Sequence, residues 1–294
     1  MGAPMFLVSN PSLVVAQCRA GVAGAFPTLN ARPVKVLDEW LERIRQELQA
    51  SPAAAPFGVN LIVHKSNVRL IADTELVIKH RLPFVITSVG DPAEIVNRVH
   101  SYGGLVFHDV TTINHARKAI NAGVDGLILV CAGAGGHAGT LSPFALVQEA
   151  RSIFNGTIVL AGAISTGRQI RAAEILGADL VYMGTRFIAT WEANAPDAYK
   201  QMILESTAAD IIYTPHFSGA PANYLVGSIS AAGFKPQDVL CRREEATLYF
   251  GQEGESRPWR DIWSAGQGVG AIDRIIPVAD LIGQLKQEYD AASL

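Results

Sequence analysis

Short apolar runs, each too brief for a helix, recur through the first 185 residues, separated by a turn, a helical stretch and a glycine. Eight are readable: Met5–Ser9, Gly21–Phe26, Phe57–Val63, Phe84–Ser88, Leu105–His108, Gly126–Cys131, Thr157–Ala161 and Leu180–Gly184. Most lack polar alternation, as strands covered on both faces do, so they predict a parallel sheet with helices outside. The helices between them carry start and stop signals. Asn10-Pro11, Asp91-Pro92 and Ser142-Pro143 each place a capping oxygen before a proline whose missing N–H costs nothing in a first turn. Ala20-Gly21, Ala122-Gly123 and Leu176-Gly177 supply a residue that tolerates left-handed closure at the other end.

Eight strand–helix units close as an α/β (β/α)8 barrel, a TIM barrel, of typically about 250 residues. An open doubly wound sheet is the competitor, because the same alternation builds it. The chain has 294 residues, and the excess falls between the last strand and a closing helix near Val278–Tyr289. Residues 186–276 therefore read as an insertion or lid beside the barrel mouth, within one domain spanning 1–294. It is expected to hold a helix over about Glu192–Ser206, an irregular segment from Tyr213 to Phe234 and a loop around Trp259–Ile272.

Apolar residues at 49% against 17% charged describe a chain able to bury a sizeable core. Lys plus Arg total 24 and Asp plus Glu 27, a net charge of −3 with no basic block, which argues against nucleic-acid or membrane-surface partners. The expected ligand is small. Cys18, Cys131 and Cys241 are odd in number and widely spaced, which suits neither a disulfide framework nor a zinc site and makes the cytoplasm the default compartment. No long uncharged apolar run predicts a membrane span, and no Asp/Glu/His group has metal-ligand spacing. Homo-oligomerisation is left open.

Barrel enzymes work at the carboxyl ends of their strands, so candidate chemistry is sought there. The turns after the last two strands, Ala161-Gly162-Ala163-Ile164-Ser165 and Met183-Gly184-Thr185-Arg186, are rich in small residues. Amides of Gly162, Ala163, Gly184 and Thr185, with the Thr185 hydroxyl, suit a phosphate. Gly133-Ala134-Gly135-Gly136-His137-Ala138-Gly139 formally fits a dinucleotide fingerprint, but the next helix starts at Ser142-Pro143 and no acidic residue ends the following strand. The run instead sets one imidazole, His137, among small neighbours that leave room for a ligand, as a proton acceptor near neutrality. Asn60 ends an apolar strand, where a carboxamide matches a heteroaromatic ring edge or a neighbouring backbone. His108 either orients the site or packs in the core, while His64, His80, His100 and His115 read as surface or capping groups. Trp191, Trp259 and Trp263 read as lid and core packing.

Together, Ala3–Pro11 at the first strand, Gly58-Val59-Asn60-Leu61, the glycine loop around His137, Ala161–Gly167, Met183–Phe187 and Ala265–Gly270 resemble the nitronate monooxygenase (2-nitropropane dioxygenase-like) family of FMN-dependent barrels. The resemblance implies FMN across the barrel mouth, its phosphate on Gly162, Ala163, Gly184 and Thr185 and its ring near Ala3, Pro4, Met5 and Asn60. Gly135 and Gly136 would flank it, with Gln267 nearby. His137 matches the family's histidine, and its implied role is catalytic base. The implied activity is oxidation of alkyl nitronates by O2 to a carbonyl compound and nitrite. Alternatives are an FMN-dependent NAD(P)H:quinone or enoyl-thioester reductase and a flavin-free lyase or isomerase of a phosphorylated metabolite. The chain departs from the related quinone-reductase branch at Asp109, where that branch has a lysine; the carboxylate is free to bond a ribityl hydroxyl. It also has Ala163 where glycine is common, tolerable if φ is negative there, and its segment His216–Ile229 lacks an arginine found in such lids.

Overall fold

The computed structural model describes residues 1–240 and 259–292; Cys241 lies outside them. Seven strands form one parallel sheet: β1 (Gly24–Pro27), β2 (Phe57–Ile62), β3 (Phe84–Ser88), β4 (Leu105–Val110), β5 (Gly126–Val130), β7 (Thr157–Ala161) and β8 (Leu180–Tyr182), in that spatial order. A second, antiparallel sheet is built from β6 (Gly136–His137), β9 (Ile211–Thr214) and β10 (Ala222–Leu225), with β10 in the middle. Helices α1 (Pro11–Arg19), α2 (Val34–Gln49), α3 (Leu70–Lys79), α4 (Ala93–His100), α5 (Ile113–Asn121), α6 (Pro143–Ile153) and α7 (Gly167–Leu176) alternate with the strands. After β8 come α8 (Thr185–Ile188), α9 (Asp197–Glu205), α10 (Val226–Ala231) and the closing α11 (Val278–Ala291).

The ring closes at a place the hydrophobic pattern misassigns. Met5–Ser9 is not a strand; residues 1–3 take the eighth stave instead. Gly2 bridges Met183 in parallel, its N–H reaches Ala23 O at 2.8 Å, and Ala3 N–H reaches Met183 O at 2.8 Å. Met5–Ser9 turns because side chains hold it: Asn30 donates to Met5 O and Ser9 O and accepts from Leu7 N–H, with Leu7 at φ 63°. The chain then enters α1, whose expected cap is present, Asn10 Oδ1 accepting from Leu13 N–H at 2.8 Å.

Alternation along the strands separates two apolar layers. Phe84, Ile86, Phe107, Ile128, Val130, Val159 and Ala161 fill the barrel, with the Phe84 and Phe107 rings edge to face at 6.1 Å. Val85, Val106, Leu127, Leu129, Ile158 and Leu160 face the helices. Each such aliphatic or aromatic burial stabilises by roughly 1.5–3 kcal/mol. The same alternation carried to the strand ends puts Asn60, Ser88, Asp109 and Tyr182 inside the mouth and turns His108 away from it.

The described parts of the segment between β8 and α11 carry more regular structure than the composition suggests. Tyr213–Phe234, expected to be irregular, contains all of β10 and α10 and the second half of β9, with Ala222 opposite Thr214 and Asn223 opposite Tyr213. The helix expected from Glu192 starts at Asp197, because Pro196 interrupts the ladder upstream. No helix among the described residues is long and apolar enough to cross a membrane.

Helix α7 seats on α11 at Gly167, where a Cβ would stand 2.2 Å from Leu285 O and 2.4 Å from Tyr289 N. Gly167→Ala should therefore push the two helices apart and cost about 1–3 kcal/mol. A lower urea midpoint with an unchanged slope is the expected readout.

Candidate active site

A cavity of about 560 Å³ opens at the carboxyl ends of the barrel strands. Nearly all the residues singled out in the sequence border it. Ala3, Pro4 and Met5 come from the N-terminal segment, Asn60 from β2 and Asp109 from β4. Gly135, Gly136 and His137 come from the glycine loop, and Gly162, Ala163, Gly184 and Thr185 from the turns after β7 and β8. Gln267 stands behind this wall: its N–H donates to Gly133 O at 2.8 Å, and its Oε1 lies over the bare face of Gly133. Among the described residues that line the cavity there is no Lys or Arg, and among the described residues as a whole no group of three His, Cys, Asp or Glu could hold a metal ion.

The glycine loop is fixed by segments remote in sequence. Asn223 on β10 donates to Ala134 O at 2.7 Å, Ser264 Oγ accepts from Gly136 N–H at 2.6 Å, and Tyr213 OH donates to Ala138 O at 2.8 Å. Pairing of Ala222 with His137 then makes the histidine a strand residue. Its Nε2 lies 2.9 Å from Ser218 Oγ, which itself donates to Ala220 O at 2.9 Å. A hydroxyl has one proton, so Nε2–H donates to Ser218 and Nδ1 keeps the lone pair. Trp259 stands edge-on to the ring at 5.3 Å. Desolvation pulls the His137 pKa down to about 4, so the imidazole is neutral and available as a base at physiological pH.

The end of the cavity beside the turns after β7 and β8 is built mainly from loop backbone. Gly184 and Thr185 open α8, and Thr185 Oγ1 accepts from Gly266 N–H at 2.8 Å, which leaves its own proton to donate. Ala163 does not meet the condition set from sequence: its φ is 54°, in the left-handed region, and its N–H points to Gly133 O at 3.3 Å. That conformation costs roughly 1–2 kcal/mol for a residue with a Cβ. Ser165 Oγ, buried and without a partner, borders the cavity just beyond it.

Across the mouth runs a polar chain. Asn60 Nδ2 donates to Ser88 Oγ at 2.6 Å and to Ile86 O at 3.4 Å, and Ser88 Oγ donates to Asp109 Oδ2 at 2.5 Å. Both Asn60 amide protons are thereby spent, so Oδ1 is what Asn60 can offer a ligand. Asp109 Oδ1 and Tyr182 OH are buried without partners. Burial raises the Asp109 pKa to about 6 and holds the Tyr182 phenol well above its usual range.

His108 lies outside this assembly, its Nδ1 2.8 Å from Thr87 Oγ1, with a pKa lowered to about 4 by desolvation. His80, read from sequence as a surface or capping group, is instead buried and paired with Asp38 at 2.6 Å. Ser88, Tyr182 and Ser165 escaped the sequence reading although strand alternation and the turn after β7 point to them. Ser218 and Ser264 had no such signal, since the insertion has no period to place them by, while Trp259, read from sequence as lid or core packing, borders the cavity.

Comparison with known proteins finds the family model described as nitronate monooxygenase over residues 68–288. A nitronate monooxygenase of Paraburkholderia phytofirmans is 25% identical over 97% of this chain and 90% of its own. An octahydroindene carboxyl-CoA dehydrogenase of Mycobacterium tuberculosis is 28% identical over 74% of this chain. Several curated relatives are longer, and the matches span about 60% of their length. Among solved structures, a nitroalkane oxidase from Streptomyces ansochromogenes covers 99% of this chain and 95% of its own at TM-score 0.80 and 25% identity. FabK from Thermotoga maritima covers 99% and 92% at TM-score 0.80 and 26% identity.

The two depressed histidines set an acid limit. Between about pH 6.5 and 4 the unfolded chain binds protons at His108 and His137 that the folded chain refuses, so stability falls as pH drops through that window. Asp109 acts oppositely, since the folded state protonates it near pH 6 and the unfolded chain only near 3.9. Two groups outweigh one. The urea midpoint should fall from pH 7 to pH 5, and His108→Gln should fall less steeply over the same interval.

Proposed function

The chain belongs to the nitronate monooxygenase family of flavin oxidoreductases, and on that premise we propose that it binds FMN and oxidises alkyl nitronates with O2 to a carbonyl compound and nitrite. The observation that carries this reading is a neutral imidazole, oriented by Ser218, on the wall of a cavity large enough for a mononucleotide and a small substrate. The residues fit the cofactor. Asp109 Oδ1, Tyr182 OH and Ser165 Oγ are buried polar atoms awaiting partners, spread over three sides of the mouth. Thr185 and the glycine-rich turns suit the phosphate, and Asn60 Oδ1 suits a ring N–H.

When bound, FMN would supply the electron transfer that links the organic substrate to oxygen. The protein's part is position and proton handling. His137 takes the α-proton of a neutral nitroalkane at Nδ1, while Ser218 keeps Nε2 protonated. A preformed nitronate has already lost that proton and needs no base. Ala3–Met5 on one side and Pro221 with Trp259 on the other narrow the mouth and keep water from the reacting atoms.

The CoA-thioester dehydrogenase relative raises a reductase or dehydrogenase reading. A nicotinamide dinucleotide or CoA ester brings several phosphates, and the described lining offers no Lys or Arg to meet them, which favours the nitronate. The cytoplasm is the compartment we propose, in keeping with free, buried Cys18 and Cys131.

Purified protein should show oxidised-flavin absorption bands and release nitrite from short alkyl nitronates; a yellow protein that releases none, yet bleaches rapidly with NADH, would replace this substrate by the reductase reading. His137→Asn should lower kcat/KM with a nitroalkane by about 10²–10⁴. Its loss with preformed nitronate should be much smaller, and equal losses would overturn the base assignment.

A further inference from the structure

Resting on the FMN reading, we propose that cofactor binding is coupled to uptake of one proton by Asp109, so that this chain loses affinity for FMN as pH rises. Charge and geometry both lead there. FMN carries a phosphate dianion, and Asp109 faces the same cavity, whose described lining holds no Lys or Arg to offset either charge. The carboxylate has a single neutral donor, Ser88 Oγ at 2.5 Å, and its Oδ1 is buried with none.

The described residues that line the cavity include no Lys or Arg. On β3 the facing residue is Ser88, on β5 the paired residue is Ile128, and across the barrel on β8 stands Tyr182, a phenol whose proton is held more tightly by burial first and by the Asp109 charge second. His137 on β6 is neutral, the exposed His115 of α5 bonds to Thr111, and His108 on the same strand points away towards Thr87. Asp91, beyond β3, is a further anion. Burial lifts the carboxyl to about 6 against the opposing pull of the Ser88 hydrogen bond. A ligand that displaces the remaining water and brings negative charge lifts it further. Once protonated, Oδ1 becomes an O–H donor for the carbonyls and ring nitrogens that dominate the flavin rim.

A group whose pKa is higher in the complex than in the free protein takes up a proton on binding. Affinity then falls between the two values, tenfold for each unit separating them. The test is FMN titration of the 294-residue chain from pH 5.5 to 8.5, followed by flavin fluorescence, with wild type and Asp109→Asn in parallel. The phosphate's own second proton, lost near pH 6, contributes equally to both proteins and drops out of the ratio. The ratio of wild-type to variant Kd should climb about tenfold or more across the range, and a pH indicator in weak buffer should report close to one proton taken up per FMN at pH 7 by wild type alone. Ser88→Ala, which removes the donor that favours the ionised form, should move the wild-type fall to higher pH. A flat ratio, or proton release on binding, overturns the coupling while leaving the flavin assignment intact. Failure to bind FMN at any pH overturns both. If Asp109→Asn does not fold, the proton count and the Ser88→Ala shift decide.

Discussion

Consecutive side chains on a strand point to opposite faces, and in a closed ring one of those faces is the interior. That constraint decides nearly everything in this molecule. It lets large apolar residues fill the middle of the barrel while valines and leucines one position away anchor the helices. At the carboxyl ends, where no further apolar layer lies above, the same alternation leaves Asn60, Ser88, Asp109 and Tyr182 facing one space. His108 and Asp109 are adjacent in sequence yet meet entirely different surroundings, a threonine outside the ring and an open cavity inside it.

The cavity is asymmetric in its means of binding. One side offers loop backbone and hydroxyls at Gly184, Thr185 and Ser165; the other offers a carboxamide and a carboxyl joined through Ser88. Between them stands a histidine whose protonation state is set by burial and whose tautomer is set by a single hydroxyl. Backbone groups hold an anion without needing a countercharge nearby, whereas the buried carboxyl is tolerated only while something neutralises it or donates to it. The left-handed Ala163 belongs to this economy of space: the loop accepts local strain so that the chain can turn sharply beside the cavity.

Much of this was legible in the chain itself. Short apolar runs and proline-marked helix starts locate β3 and β7 to the residue, and nearly all the site residues expected from the sequence do border the cavity. What was not legible has identifiable causes. Met5–Ser9 is as apolar as a strand, but Asn30, twenty or more residues away, supplies the hydrogen bonds that fold it into a turn. The left-handed Ala163 bonds through its N–H to Gly133 O, thirty residues upstream, a contact that local sequence does not encode. Ser218 and Ser264 act through partners 81 and 128 positions away, a distance at which periodicity carries no information.

The pairing of β6 with β10 has an evolutionary corollary. The histidine shares its backbone hydrogen bonding with an appended hairpin, while the glycine-rich turns after β7 and β8 belong to the barrel proper, so the two lie on physically separate parts. A change in the hairpin can therefore re-aim the imidazole and reshape the space in front of it without altering the turns after β7 and β8. Divergence of chemistry under a constant scaffold is what such an arrangement permits.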